Sequence, residues 1–376
     1  MAHEKFELLP LILMQERKLY KQRTFWEERF EKQQAIRKEE IAAIEQLSDF
    51  LEYYDLNIKM MDYSKLVHNK ELEDLDGFEQ LIRNPKLKNI EHAQSARSKI
   101  LYLSIYGTYY ECTKEHQKSL KCRENSLDVM EEHRFFMEEH PENYLIILNN
   151  IATAAKQGLQ LKLYKNYIDR IGSFSIKKAP TDIQLLHFRL YYQHQLPYWC
   201  LVGEFDRCIE VLPIIQEGFD RWKGRLKQST IRPFWYYFAN AFYAEGEYEK
   251  ALSYLEKAID NKGDGFLVLV RESMLLQIII HVELGNDLLV EPLVRAARRY
   301  WKKHEILGER ENLMLNLLQK DERTKDLVLS TLNALKKLNL SPIYNNINER
   351  VWLQGLLDKH SYGVSYRNYI EGLNLE

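Results

Sequence analysis

The stretch "FANAFYAEGEYEKALSYLEKAID", residues 238–260, decides the fold of this chain. Apolar residues recur at helical spacing on both sides of Gly246, which predicts two helices joined by a tight turn, because glycine turns at a helix end without a Cβ clash. Pro233 suits the first position of the first helix. The apolar residues in question are Trp235, Phe238, Ala239 and Phe242 in the first helix, and Tyr248, Ala251, Leu255 and Ala258 in the second.

The alternation of large and small residues in this stretch has a packing reason. Alanines allow two helices to approach closely, and aromatic or leucine side chains fill the spaces between one helix pair and the next. With these residues in these roles, the stretch resembles a tetratricopeptide repeat of the bacterial type. The proline that closes that motif is absent, and Gly263 stands in its place.

Weaker copies of the same pattern flank the clear repeat, such as "VGEFDRCIEVL" at residues 202–212. The turns of the copies fall near 114, 159, 203, 246 and 285, in steps of 45, 44, 43 and 39 residues. The resemblance covers about residues 95 to 305. It implies an all-α fold, a right-handed superhelical solenoid of stacked antiparallel helix pairs, with helices longer than those of the usual repeat of about 34 residues.

The sequence predicts three regions, of which two lie outside the repeats. Residues 1–92 form an N-terminal helical region, residues 93–305 carry about five repeats, and residues 306–376 form capping helices and a tail. A long helix is expected over residues 14–67, with a stripe of Trp26, Phe30, Ile44, Leu47 and Leu51 that Arg37 and Glu40 interrupt. The interruption favours a capping helix with a solvated middle, and a coiled-coil dimer is the alternative that the stripe leaves open.

Composition limits the classes of function. The 376 residues are 45% hydrophobic with only 15 glycines and 9 prolines, which favours long helices in a folded protein. A net charge of −2 gives no overall attraction to nucleic acid or to an anionic membrane. No segment reads as a membrane span or signal peptide, and four scattered cysteines without a CxxC pair are typical of the reducing cytoplasm.

Motifs for catalysis are missing from the sequence. It contains no phosphate-binding GxxxxGK[ST] loop, no GxGxxG and no HExxH. The histidine pairs His133/His140 and His187/His194 lack a third ligand at metal spacing. We therefore expect a non-catalytic protein without a metal or cofactor, which binds a protein or peptide partner.

The tetratricopeptide resemblance implies a concave groove lined mainly by first helices of each pair. Asparagine amides can hold an extended peptide backbone through one donor and one acceptor, and tyrosine offers stiff amphipathic area. The resulting candidates for a partner-binding groove are Asn149, Thr153, Lys156, His194, Tyr236, Asn240 and Tyr243.

Two basic stretches offer a rival site. A solvated face is the plainer interpretation, and a docking patch for an acidic protein or RNA, with Trp222 and Trp301 as stacking groups, is the alternative. The basic residues are Arg221, Lys223, Arg225 and Lys227 in the first stretch, and Arg295, Arg298, Arg299, Lys302 and Lys303 in the second.

Two alternative functions remain beside a binding scaffold. The layout also resembles that of bacterial peptide-responsive regulators of the Rap type, and an accessory subunit of a nucleic-acid complex is the third option.

Overall fold

The computed structural model describes residues 7–20, 26–68, 76–259, 267–320, 322–338 and 348–373. Every regular element in these ranges is a helix, so the all-α prediction is confirmed. The chain forms two compact units, residues 1–158 and residues 159–376. This division falls inside the repeat region, whereas the predicted boundaries at 92/93 and 305/306 each lie within a unit.

The first unit is built around one long helix that packs against its neighbours. Its helices are α1 (Leu9–Tyr20), α2 (Trp26–His68), α3 (Asp76–Ile82), α4 (Ala96–Cys112), α5 (His116–Glu132), α6 (Arg134–Glu139) and α7 (Pro141–Gln157). Tyr53 and Met60 of α2, Phe78 of α3 and Ile105 of α4 are all buried in one cluster. The long N-terminal helix is therefore a structural member of this unit.

The second unit continues as helices that mostly pack against their sequence neighbours. They are α8 (Leu161–Ser173), α9 (Thr181–Val202), α10 (Phe205–Glu210), α11 (Leu212–Arg221), α12 (Gln228–Ala244), α13 (Tyr248–Ile259), α14 (Leu267–Glu283), α15 (Asp287–Lys303), α16 (Glu309–Leu318), α17 (Lys325–Lys337), α18 (Glu349–Asp358) and α19 (Tyr362–Gly372). The helix that pairs with α9 is divided into α10 and α11. Pro213 lies in the first turn of α11 and begins a new helix there.

All five predicted turns coincide with residues in the left-handed region of backbone conformation. Lys114, Leu159, Gly203, Gly246 and Gly285 have φ between 56° and 80°. At Gly246 the turn closes with the hydrogen bonds of a Schellman motif, from Gly246 N to the Tyr243 carbonyl and from the next residue to the Phe242 carbonyl. The turn spacing read from the sequence is confirmed, including two positions that lack glycine.

The clear repeat forms the helix pair α12/α13. Phe238, Ala239, Ala251, Leu255 and Ala258 are all fully buried, as the packing argument requires. The start of α12 corrects the sequence interpretation: the helix begins at Gln228, so Pro233 lies inside it and not at its first position. Gly263, which stands where the motif has its closing proline, lies outside the described residues.

The C-terminal helices fold back onto the repeats of the second unit. The ring of Tyr362 stacks on that of Tyr243 with centroids 5.1 Å apart, and the Tyr366 hydroxyl donates to the Leu201 carbonyl at 3.2 Å. Gly363 lies so close to the Ala244 carbonyl that a Cβ there would collide with it. The tyrosine-rich tail is therefore packed through α19 and covers the face of α12.

A buried ion cluster ties α14, α16 and α18 together. Arg310 donates to both carboxylate oxygens of Glu272 at 2.8 Å, to Glu311 at 3.0 Å, and to Glu349. Burial acts to raise the pKa of Glu272, but Arg310 and Arg271 outweigh it and lower that pKa. Burial raises the pKa of Glu349 against the opposing effect of Arg310. The guanidinium of Arg310 is thus the hub on which three buried carboxylates depend.

Candidate binding pocket in the first unit

A cavity of about 410 Å³ lies within the first unit, where side chains of α2, α4, α5, α6 and α7 converge. Its size is in the range of small-molecule and peptide-segment sites. We call it the first-unit pocket and define it by its lining residues. These are Phe50, Tyr54, Asn57, Arg97, Ile100, Leu101, Ser104, Arg123, Ser126, Phe136, His140, Asn143, Ile146, Ile147 and Asn150.

The charge of this lining is one-sided. The described lining residues include two arginines and a histidine, and none of them is an aspartate or glutamate. Apolar and aromatic side chains make up much of the remaining wall, with three asparagines between them. An apolar wall with a few polar and cationic groups is suited to a ligand that carries a negative group on an amphipathic body.

Arg97 is positioned on α4 by an aromatic ring and a carboxylate. Its guanidinium carbon lies 4.0 Å from the centroid of the Phe50 ring, and Nη1 donates to Glu7 Oε1 at 2.7 Å. Partial burial acts to raise the pKa of Glu7, but a hydrogen bond from its own backbone and the Arg97 charge outweigh this and lower it. Arg97 lines the pocket with a side chain that is 17% exposed, and its partner Glu7 is 47% exposed.

Arg123 is held deeper in the wall, on α5. It is 7% exposed, and Nη2 donates to Glu111 of α4. Its Nε has no hydrogen-bond partner among the described residues. The side chain packs along α4 at Gly107, where a Cβ would lie in van der Waals contact with Arg123 Cγ at 3.4 Å. Because the Nε atom is closed off from solvent, it is a costly unpaired donor inside the wall and not a group on the pocket surface.

The asparagines come from two helices. Asn57 lies on α2, and its Oδ1 is buried without a hydrogen-bond partner in the described structure. Asn143 and Asn150 lie on α7 two turns apart, and Asn150 Oδ1 accepts a bond from Asn149 Nδ2 at 3.1 Å. Amide groups with unused donors and acceptors are the groups that hold a peptide backbone.

Three of the predicted groove residues lie on α7, the helix that also supplies Asn150 to the pocket lining. Asn149, Thr153 and Lys156 are half-buried, and the Thr153 hydroxyl donates to the Asn149 carbonyl at 2.9 Å. Their predicted role in binding is untested, and the adjacent Asn150 is the one that lines the pocket. Sequence reasoning missed Arg97, Arg123 and Asn57, which come from three different helices and share no local pattern.

The other four predicted groove residues are buried, which corrects the expectation of an open face in the second unit. His194, Tyr236, Asn240 and Tyr243 are each at most 4% exposed. The Tyr243 hydroxyl donates to Glu283 at 2.7 Å, and the Asn240 amide donates to the Tyr236 carbonyl at 2.8 Å. Tyr243 is covered by Tyr362 of α19, and all four side chains are enclosed, so they cannot meet a partner in this conformation.

His194 is satisfied from within the second unit. The Tyr164 hydroxyl lies 3.2 Å from His194 Nδ1 and donates to the His194 carbonyl at 2.9 Å. The two rings meet edge to face with centroids 5.6 Å apart. This environment is that of a core histidine.

Four of the nine residues in the two basic stretches are engaged by neighbours. Arg225 pairs with Asp182 and Arg295 with Glu291, while Arg221 donates to Gln184 at 2.9 Å. Arg298 donates to two asparagines of α16, at 3.2 and 3.0 Å. The remaining members are exposed, namely Lys223, Lys227, Arg299, Lys302 and Lys303.

The two tryptophans proposed as stacking groups cannot act as such. Trp222 is 5% exposed and Trp301 is fully buried. Arg221 packs its guanidinium over the Trp222 ring at 4.7 Å and covers it further. The two basic stretches therefore offer cations without the exposed aromatic rings on which single-stranded RNA stacks.

A larger cavity of about 540 Å³ lies among α17, α18 and α19. Its described lining mixes Lys336 and Arg350 with Glu349 and Asp358. Charges of both signs give it no preference for one class of ligand, in contrast to the first-unit pocket.

The described residues contain neither a membrane-spanning helix nor a cluster of metal ligands. No described helix is long and apolar enough to cross a membrane. No group of three or more histidines, cysteines, aspartates or glutamates in those residues is arranged to hold a metal ion.

Comparison with known proteins finds similarity to solved structures only. No family model and no curated protein matches the chain. The chain is similar to the apo form of the quorum sensor NprR from B. thuringiensis, at 14% identity over 90% of this chain and 94% of that one, with a TM-score of 0.47. At this identity and score, the similarity carries no inference about function, which rests on the residues described above.

Proposed function

We propose that this protein is a non-catalytic, cytoplasmic binding protein whose first-unit pocket takes an extended peptide segment bearing a carboxylate. The observation that carries the proposal is the lining of the pocket. It combines Arg97 and Arg123 with three asparagines and an aromatic wall, and its described members include no acid.

Each part of the lining has a matching part in such a peptide. Arg97 presents a planar fork that suits a carboxylate, and its stacking on Phe50 fixes the fork in place. Asn143 and Asn150 of α7 carry amides in the lining that can pair with a peptide backbone, which favours a peptide over a simple anion.

The proposal moves the partner site from the second unit to the first. The sequence placed the strongest candidates on α12, but those side chains are enclosed, and Tyr362 of α19 covers Tyr243. Binding of RNA to the basic stretches has less support, because Trp222 and Trp301 are buried. Peptide-responsive regulation stays a prediction.

A selection from random peptides tests the ligand class. Purified protein is incubated with a pool of random heptapeptides with free termini, and bound peptides are sequenced by mass spectrometry. We expect enrichment of aspartate and glutamate, or retention that disappears when the pool is C-terminally amidated. The proposal is wrong if the bound peptides have the same amino-acid composition as the starting pool, both with free and with amidated C-termini.

A matched pair of arginine variants tests the site. Arg97→Gln should weaken binding of the best fluorescein-labelled peptide about tenfold or more, because a hydrogen bond to a charged group contributes roughly 1.5–3 kcal/mol. Arg83→Gln is the control, since Arg83 is in the same unit, 78% exposed, and bonded only to Glu79 among the described contacts. Equal affinities of the two variants, with unchanged melting temperatures, would refute the assignment of the pocket.

A further inference from the structure

The N-terminal segment brings a carboxylate to an arginine of the first-unit pocket. Glu7 lies two residues before the start of α1, and its Oε1 accepts a hydrogen bond from Arg97 Nη1 at 2.7 Å. The two residues are 90 positions apart in the sequence, so the contact depends on the packing of the first unit. Arg97 belongs to the lining of the pocket, whereas Glu7 does not. The chain itself therefore places an acidic group on an arginine that the proposed peptide would use.

The negative charge of Glu7 is stabilised by two members of the pocket lining. Partial burial acts to raise the pKa of this carboxyl, but its own backbone hydrogen bond, Arg97 and His140 outweigh burial and lower the pKa. Arg97 and His140 both line the pocket. Because an ordinary glutamate is already ionised at neutral pH, Glu7 carries its full charge there. It thus interacts with the same basic groups that would attract an acidic ligand.

We propose that Glu7 competes with the ligand carboxylate for Arg97, so that the N-terminal segment inhibits the first-unit pocket until an acidic peptide displaces it. This competition rests on the proposed function, since it requires that the pocket takes a carboxylate. A carboxylate that binds the end of the guanidinium fork through both Nη atoms needs Nη1, which Glu7 occupies. A carboxylate that binds beside Glu7 meets a like charge, which disfavours the ionised form of both groups.

The packing of α1 allows the start of the chain to be displaced. Leu13 is the one buried residue of α1, a helix that the structure describes in full, and Arg17 ties the far end of the helix to Glu40 of α2. Leu11, toward Glu7, is exposed. Segments with few buried contacts open at low free-energy cost. An ion pair between partly exposed side chains is also weak, because water and salt screen it. A peptide that binds several groups of the pocket can therefore replace Glu7.

Two roles of Glu7 predict opposite effects of its removal. If Glu7 served only to position Arg97, its loss would weaken peptide binding. If Glu7 competes with the ligand, its loss strengthens peptide binding. Arg97 has a second support, because its guanidinium carbon lies 4.0 Å from the centroid of the Phe50 ring and is attracted to the ring face. We therefore expect the guanidinium to stay in place without Glu7, and the affinity for an acidic peptide to rise.

Fluorescence anisotropy with full-length variants measures the competition. The random-peptide selection is run with the wild type and with Glu7→Gln, and the probe is the fluorescein-labelled acidic peptide that binds most tightly. Glu7→Gln should bind this probe about two- to fivefold more tightly than the wild type, in keeping with the strength of a partly exposed ion pair. Glu16→Gln is the matched control, because Glu16 is an exposed acid of the adjoining helix α1, and it should bind like the wild type. Circular dichroism should show the same helicity for all three proteins.

The same substitution in Arg97→Gln tests the place of the competition. Glu7→Gln should leave the affinity of that variant unchanged, because no guanidinium remains for the two carboxylates to share. An equal gain in that variant, an equal gain for Glu16→Gln, or a Glu7→Gln protein that binds no more tightly than the wild type would each overturn the competition and leave the proposed function standing. If neither the wild type nor Glu7→Gln retains acidic peptides, the proposed function and the competition are both wrong.

Discussion

Replacement of Arg310 by methionine should destabilise the second unit strongly. Arg310 is 5% exposed and is the hydrogen-bond hub for Glu272, Glu311 and Glu349, which are likewise buried. Without it, Glu272 and Glu311 are left with Arg271, whose side chain is 17% exposed, and Glu349 loses its bond to Arg310. Removal of one partner from a buried ion pair costs about 3–5 kcal/mol, because the remaining charges are left without compensation.

Thermal unfolding followed by circular dichroism measures this effect. In a unit of this size each kcal/mol lowers the melting temperature by about 2–4 °C, so a loss of about 6–20 °C is expected for Arg310→Met. Arg271→Met is the control and should lose less, because its partners keep Arg310. Adding Glu349→Gln to Arg310→Met should restore part of the loss. A decrease below about 2 °C, or equal losses for the two arginine variants, would refute the account of the cluster.

Three further substitutions test the helix packing of the second unit by urea denaturation. Ala251→Leu should cost about 1–3 kcal/mol by overpacking the fully buried α12/α13 interface, and an unchanged midpoint would mean that the repeat register is misplaced. Gly246→Ala should cost about 1–2 kcal/mol, because φ is 80° there, and a smaller loss would show that the turn relaxes. Gly363→Ala should cost about 1–3 kcal/mol through its collision with the Ala244 carbonyl, and wild-type stability would contradict the docking of α19.

The repeat architecture could be predicted from local sequence because its signals are local. One repeat contains the whole signal: a turn in the left-handed region, followed by small and large residues at helical spacing. Lys114 and Leu159 show the limit of glycine as a marker, since both have positive φ without it. Their turns could be predicted because weaker copies of the repeat pattern lie on both sides of each of them.

The candidate site could not be predicted in the same way. Whether α12 faces solvent depends on Tyr362 and Tyr366, more than a hundred residues away, and no local pattern shows that they return to it. The first-unit pocket likewise joins Asn57, Arg97 and Arg123 from three helices. Each of them alone reads as an ordinary surface residue, and only their convergence points to a ligand.

Hydrogen–deuterium exchange with the selected peptide tests the central claim most directly. The protein is compared with and without a saturating amount of the acidic peptide, under conditions in which exchange of the helices is resolved. The account predicts new protection in α4, α5 and α7, around Arg97, Arg123 and Asn150. Protection confined to residues 221–232 and 295–303, with the first unit unchanged, would contradict it.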